Sequence, residues 1–284
     1  MKWSVRGTSL PLAKPLVMGI LNMTPDSFSD GGRFFSSTAD VFDHVTAMLE
    51  SGADIIDVGG ESTRPGAVPV STNDEMKRVL PVIEGIRQRH PNAILSVDTV
   101  KGGVARAALD AGAHIVNDVS GLRLDPTVGG VCAAAGAGLV LMHSRGSVSE
   151  MGTYLHAHYD DVVSEVLREL RYQVDVALES GVTDESLALD PGVGFGKKTE
   201  HSLAMLGALP QLTAWGYPVL VGVSRKRFIG EITGVREPAA RLSGTLGANV
   251  AALALGARIF RVHDVRAARE ALDVAWAILN GKGE

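Results

Sequence analysis

Eight short, β-branched apolar runs, each bounded by turn residues, recur along this chain. They are LVMGIL (16–21), DIIDVGG (54–60), ILSVDT (94–99), HIVNDVS (114–120), GLVLMH (138–143), LALDPG (187–192), PVLVGVS (218–224) and RIFRVHD (258–264). The gaps between them are too long for hairpins and carry helical periodicity. The clearest example runs from Asp160 through DVVSEVLRELRYQVDVALESG, with Val163, Val166, Leu167, Leu170 and Val174 at helical spacing, an Asp to cap its start and Gly181 past its end. Strands that alternate with amphipathic helices form parallel βα units, and eight such units over about 250 residues close into a barrel. The expectation is an α/β fold: one (β/α)8 TIM barrel spanning residues 1–284 as a single domain, with a short N-terminal extension. An open doubly wound sheet is the alternative. The phrases SGAD, AGAH and LGAR precede strands two, four and eight, and each reads as a helix ending in glycine.

Composition narrows the function. A 45% hydrophobic share with only 5% aromatics suits an aliphatic, layered core. The formal net charge of -5, without a long basic run, argues against nucleic acid as a partner, so any anion site must be local. Cys132 is the single cysteine, which excludes an intramolecular disulfide and a cysteine-built zinc site, and it reads as a small core residue. No apolar stretch approaches the roughly 18 residues of a membrane span, and the N-terminus lacks a signal-peptide centre. A soluble cytoplasmic protein without a membrane partner is expected.

Polar residues gather where the strands end. Asn22, Asp57, Asp98, Asn117, His143, Asp190, Ser224, Lys226, Arg261 and His263 all lie in or just past the carboxyl halves of these runs, and in a barrel those ends converge on one mouth. Asp98, Asp190 and the Asn117 amide supply acceptors suited to a flat nitrogen heterocycle with ring N–H and amino groups. Opposite in sign, Lys226 follows strand seven, and Arg261 and His263 sit two apart on strand eight, so they share a face suited to phosphate oxygens. Asn22 could be one ligand of a Mg2+ otherwise held by phosphates and waters. DPGVGFGK (190–197) fits no phosphate-binding fingerprint and reads as a tight turn. His143 and Ser144 lack a nucleophile elbow and an ordering acid, which argues against a serine hydrolase.

The segments MGILNMTPDSFSDGG (18–32) and DIIDVGGESTRPGA (54–67), with SVDT, NDVSG, DPGVGFGK, GVSRKRFIG and RVHD in order behind them, are specific enough to identify a family. The chain resembles dihydropteroate synthase over nearly its whole length. The resemblance implies displacement of diphosphate from (7,8-dihydropterin-6-yl)methyl diphosphate by 4-aminobenzoate, with Mg2+ as cofactor and a homodimeric assembly. It places the pterin on Asp98, Asn117, Met142, Asp190 and Lys226. Diphosphate falls on Asn22, Thr63, Arg64, Arg261 and His263, with Asn22 also the metal ligand. The 4-aminobenzoate falls on Phe28, Thr63, Pro65, Phe195 and Ser224. Asp98, Lys226, Arg261 and His263 are the expected catalytic set, on an SN1-like path, and Pro25 to Gly32 of the first loop are expected to fold over the mouth. The chain departs from the family's usual pattern in MHSRGSVSEMGTY after strand five, in GFGKKTEHS after strand six, and at Arg227, where Ser is usual. Two other readings share the pterin pocket: a methyltransferase domain that passes a methyl group to a corrinoid protein, and a non-catalytic pterin-binding paralogue.

Overall fold

The computed structural model describes residues 1–24, 38–64 and 66–281. Its chain opens with a hairpin, β1 (Lys2–Val5) and β2 (Thr8–Pro11), and then alternates strand and helix. The strands are β3 (Leu16–Asn22), β4 (Ile55–Gly59), β5 (Ile94–Asp98), β6 (Ile115–Asp118), β7 (Gly138–Met142), β8 (Leu187–Asp190), β9 (Leu220–Val221) and β10 (Ile259–Val262). Between and after them come α1 (Thr38–Glu50), α2 (Thr72–Arg89), α3 (Gly102–Asp110), α4 (Thr127–Ala135), α5 (Val162–Glu179), α6 (Thr199–Gly207), α7 (Leu209–Thr213), α8 (Arg227–Thr233), α9 (Leu242–Ala254) and α10 (Val265–Asn280). All eight later strands pair in parallel, in the order β8-β7-β6-β5-β4-β3-β10-β9. A parallel bridge between Leu189 and Val219 joins the two ends of that order, with Leu189 N–H donating to Pro218 O at 2.9 Å. The sheet is therefore a closed (β/α)8 barrel, as the alternation requires.

Each expected strand is present within a few residues of its sequence run, but the seventh is shorter. Of 218–224 only Leu220–Val221 is regular strand. Pro218 has no N–H to give a ladder, and Val219 O is occupied by the N–H groups of Arg258 and Ile259. The expected Asp cap of α5 is Asp161, whose carboxylate accepts from Val163 N and Ser164 N. In SGAD, AGAH and LGAR the glycines take φ of +93°, +111° and +104°, the left-handed exit that ends each helix.

Side chains alternate between the helices and the barrel axis. Facing the helices is a large aliphatic cluster. Facing the axis, the lowest layer is apolar: Met18, Ile55, Ile115, Val140, Ala188, Leu220 and Ile259 pack with Trp3, Val5, Leu10 and Leu12. The N-terminal extension is thus a plug that seals the lower end of the barrel. Trp3 is fully buried there and its indole N–H donates to Ser186 O at 2.9 Å. Two residues further along most of these strands the inward positions turn polar, with Asp57 beside Ser96, Asn117 beside Asp98, and Asp190 beside the apolar Met142 in register. The plug keeps water from reaching this layer from below, so only the upper mouth is open.

Trp3→Ala should cost about 3–5 kcal/mol in urea unfolding, because it empties a fully buried ring volume and orphans a carbonyl. Since the mouth lies at the other end, ligand affinity measured well below the new midpoint should stay within about twofold of wild type.

Candidate active site

Above the polar layer lies a cavity of about 1240 Å³. It is lined by Asn22, Thr63, Arg64, Asp98, Asn117, Met142, Asp190, Phe195, Ser224, Lys226, Arg261 and His263. The residues expected to bind substrate or metal, among the described ones, therefore meet in one place. Phe28, Pro65 and the expected lid Pro25 to Gly32 lie outside the described residues.

Arg261 is the centre of the arrangement. From β10 its Nε donates to Asp57 Oδ2 at 2.6 Å, and its Nη2 donates to Asp98 Oδ2 at 2.8 Å. Asp57 Oδ2 also accepts from Asn117 Nδ2 at 3.1 Å. One of the amide's two N–H donors is thereby used below the cavity, and this bond turns its oxygen to face a ligand. Burial works against the Arg261 charge, but Asp57 and Asp98 outweigh it and hold the pKa above its ordinary value. Burial pushes Asp98 up, against the pull of Arg261.

Asp190 closes the other side of the acceptor set. Its Oδ1 accepts from Gly192 N–H at 2.7 Å, and burial raises its pKa to about 6 despite that bond and the nearby Lys226. Gly192 has φ +67°, and a Cβ there would lie 1.8 Å from His143 O, so only glycine lets the chain turn back onto Asp190. Lys226 is the donor beside these acceptors. Its Nζ stands 3.5 Å from the centroid of the Phe195 ring, and burial lowers its pKa to about 7, with Asp190 pulling the other way. Beneath them Met142 packs with Val100, Val119 and Met151, and Phe195 leans on the same cluster. Met151 belongs to the atypical loop after strand five, so that loop returns an apolar side chain to the floor.

On the opposite wall the groups suit an anion. Ser224 Oγ lies 2.9 Å from His263 Nδ1 and also accepts from the His263 backbone N–H at 3.3 Å. When the hydroxyl donates its proton to Nδ1, the imidazole proton is on Nε2. Burial, with Arg225 and Arg261 nearby, lowers the His263 pKa to about 3, so in the ligand-free protein it acts as a neutral N–H donor. Ser224 is accordingly held by His263 on this wall. Of the other basic residues in SRKR, Arg225 makes a paired contact to Asp264, with Nε to Oδ2 at 3.1 Å and Nη2 to Oδ1 at 2.8 Å. Arg227 lies over Tyr154 with its Cζ 4.6 Å from the ring centroid. The loop bearing Thr63 and Arg64 is tied down by Glu61, which accepts from Val70 N–H at 2.7 Å and pairs with Lys101 at 2.8 Å.

Asn22 reaches the cavity from the end of β3. Among the described residues no three His, Cys, Asp or Glu side chains cluster as a metal site. One neutral amide oxygen at an anion-binding wall does fit Mg2+, which keeps waters and takes its remaining ligands from phosphate oxygens.

Two expectations need correction. His143 does not join the mouth: it is fully buried on the helix side of β7, with Nε2 2.9 Å from Glu169 Oε2 and Nδ1 2.8 Å from Lys197 Nζ. Alternation gives the reason, because Met142 points to the axis and its neighbour must point away. An ordering acid for His143 therefore exists in Glu169, but Ser144 Oγ donates to Val119 O at 2.7 Å and takes no part. Lys197 is the residue that sequence reasoning missed. Completely buried, it donates to the carbonyls of Gly192 and Phe195, each at 3.1 Å, and so fastens the DPGVGFGK turn from within. That segment is a turn, as expected, and its lysine is not offered to a phosphate. The available signal was Glu169, an acid among the buried Val166, Leu170 and Gln173 of α5.

Residues 18–263 match the family model described as "Pterin binding enzyme". The chain is 46% identical over 282 residues to the dihydropteroate synthase of Escherichia coli (strain K12), covering 99% of this chain and 98% of that one. Among solved structures, the Yersinia pestis dihydropteroate synthase with a sulfonamide drug complex superposes with a TM-score of 0.91 at 40% identity, covering 99% and 100% of the two chains. The Xanthomonas albilineans dihydropteroate synthase with 4-aminobenzoic acid gives a TM-score of 0.89 at 44% identity, with 98% of each chain covered.

His143 supplies a pH test. Its imidazole titrates near 6.5 when unfolded and, because of burial and the adjacent Lys197, only near 4 in the fold. The unfolded chain thus binds a proton that the native chain refuses; the contribution to stability is intact above about pH 6.5 and falls as pH drops towards 4. Across that window the urea stability of His143→Gln should lose about 1.4 kcal/mol per pH unit less than wild type does. Parallel curves would remove the buried neutral imidazole from the account.

Proposed function

This chain belongs to the dihydropteroate synthases within the pterin-binding enzyme family, and from that membership we propose how its cavity joins (7,8-dihydropterin-6-yl)methyl diphosphate to 4-aminobenzoate, releasing diphosphate and forming 7,8-dihydropteroate. The observation that carries the reading is a contact. Arg261, the anion ligand, is 2.8 Å from Asp98, the ring acceptor, and in the substrate a single methylene carbon separates ring from diphosphate. The site holds the two kinds of group as close together as the molecule does.

Asp98, Asp190 and the Asn117 oxygen take the N–H groups of the pterin edge, Lys226 donates to its acceptors, and Met142 supports one face of the ring. The leaving diphosphate lies on Arg261 and the Nε2 proton of His263, near Asn22 and the loop of Thr63 and Arg64. Mg2+, held by Asn22 and the diphosphate oxygens, would draw charge from the departing group when bound. The C–O bond breaks with its electron pair passing to diphosphate, and the positive charge left on the methylene spreads into the ring beside Asp98. A carboxylate placed there in advance stabilises that charge without reorganising. The 4-aminobenzoate nitrogen then donates its lone pair to the methylene carbon and loses a proton to the released diphosphate. An aniline nitrogen needs no strong base for this, but water must be kept away, since it would capture the same cation. Phe195 supplies an apolar wall for the second substrate.

A methyltransferase domain would leave the anion wall of Arg261 and His263 without a ligand. A cytoplasmic homodimer completes the proposal, with the exposed Val274 and Ile278 on α10 as the apolar face offered for pairing.

With both substrates and Mg2+ supplied, the protein should release diphosphate in step with dihydropteroate, and Asp98→Asn should keep the fold but lose about a hundredfold or more in kcat. A near-normal rate for Asp98→Asn would remove Asp98 from the mechanism. Arg261→Ala should weaken pterin diphosphate binding about ten- to a hundredfold, and a pterin lacking phosphates much less. Equal losses in calorimetry would sink the anion assignment.

A further inference from the structure

Asp57 is fully buried beneath the cavity and does not line it. A carboxylate in such a place is costly unless it is paired, and this one is only half satisfied. Oδ2 accepts from both Arg261 Nε and Asn117 Nδ2, at 2.6 and 3.1 Å, whereas Oδ1 has no hydrogen-bond partner among the described residues. A barrel interior that required only volume at this position would be served as well by the aliphatic side chains of the layer below.

The two carboxylates on Arg261 are not equivalent. The Asp57 side chain has no exposed surface, while that of Asp98 is 14% exposed and forms part of the cavity wall. An anion entering the cavity meets Arg261 from the side of Asp98, whose carboxylate is partly exposed, and not from the side of Asp57, which is sealed. We propose that Asp57 is a positioning residue for the reaction: it anchors Arg261 at Nε, so that Nη2 exchanges between Asp98 and the diphosphate group, while the same carboxylate oxygen fixes the Asn117 amide with its oxygen towards the ring. The inference rests on the reading that Arg261 receives the diphosphate.

This exchange has a thermodynamic consequence. In the ligand-free protein Asp98 Oδ2 is occupied by Arg261, and an anion that draws Nη2 away returns that oxygen to the ring's N–H groups. Anion and ring therefore bind with positive coupling, and the coupling is reciprocal. A carboxylate that merely helped the barrel pack would change stability or both affinities, but would not set the coupling between them.

The test is calorimetric, on the full chain at one fixed Mg2+ concentration. 6-Hydroxymethylpterin, which carries no phosphate, is titrated with and without saturating inorganic diphosphate. Wild type should bind it about fivefold or more tightly when diphosphate is present, and Asp57→Asn should reduce that factor to under about twofold while still binding each ligand alone. Retained coupling in Asp57→Asn, or its absence in wild type with Arg261-dependent diphosphate binding, overturns the role of Asp57 and leaves the reading of Arg261 standing. Diphosphate binding that is undiminished in Arg261→Ala overturns that reading, and this inference with it. Should Asp57→Asn fail to fold, Arg261→Lys decides the matter. A single ammonium cannot hold Asp57 and an anion through the two ends of a rigid fork, so diphosphate should still bind but without coupling, and coupling retained in this variant overturns the proposal.

Discussion

One guanidinium organises the site. Arg261 is planar and always charged, and it offers separate N–H donors in a fixed fork. Held at 2.6 Å by Asp57 and at 2.8 Å by Asp98, it links three strands, β4, β5 and β10, across the barrel axis. Asp57 passes the same constraint on to Asn117 of β6. Four side chains from four strands are thereby fixed relative to one another before any ligand arrives. That is the physical content of a preorganised site, in which the cost of ordering charge is met during folding and not at the moment of reaction.

A charged layer of this kind needs a dry floor and a strong frame. The frame is the parallel sheet, whose helix-facing side chains form an aliphatic cluster, and the floor is the apolar layer closed by Trp3, Val5, Leu10 and Leu12 of the hairpin. Burial then leaves its mark on the titrating groups. It raises Asp98 and brings Asp190 to about 6, and it lowers Lys226 and Lys197 to about 7 each. Acids move up and bases move down because low polarity penalises either charge. An incoming pterin and diphosphate bring the complementary groups that this pocket lacks when empty.

The atypical segments border the cavity, to which they contribute Tyr154, Phe195, Lys197 and Arg227, without displacing the strand-end groups. Arg145, after strand five, pairs with Glu165 and Glu169 of α5 and stacks on Tyr159. Met151 fills the floor from the same loop, and Arg227 lies over Tyr154 at the rim. Each is accommodated by a local partner, so the acceptor set and the anion wall stand as the strand ends place them.

Much of this was legible without coordinates, and the boundary between what was and what was not has a physical cause. Eight apolar runs alternating with helical periodicity specify parallel βα units, and polar residues at the ends of those runs specify a mouth, because both depend on local spacing alone. Spacing by itself therefore determined the barrel and eight of the residues that line its cavity, and the family resemblance added Thr63, Arg64, Met142 and Phe195. It could not orient the Asn117 amide, pair Arg261 with Asp57, or set Lys197 against His143, since each depends on a partner tens to hundreds of residues away. Arg261 and Asp57 are 204 positions apart. His143 lies between these cases: its parity against Met142 was available, but a strand buried on both faces is apolar on both and does not show which side is the axis. Only closure of the barrel decides that, and with it which oxygens and which cations face a ligand.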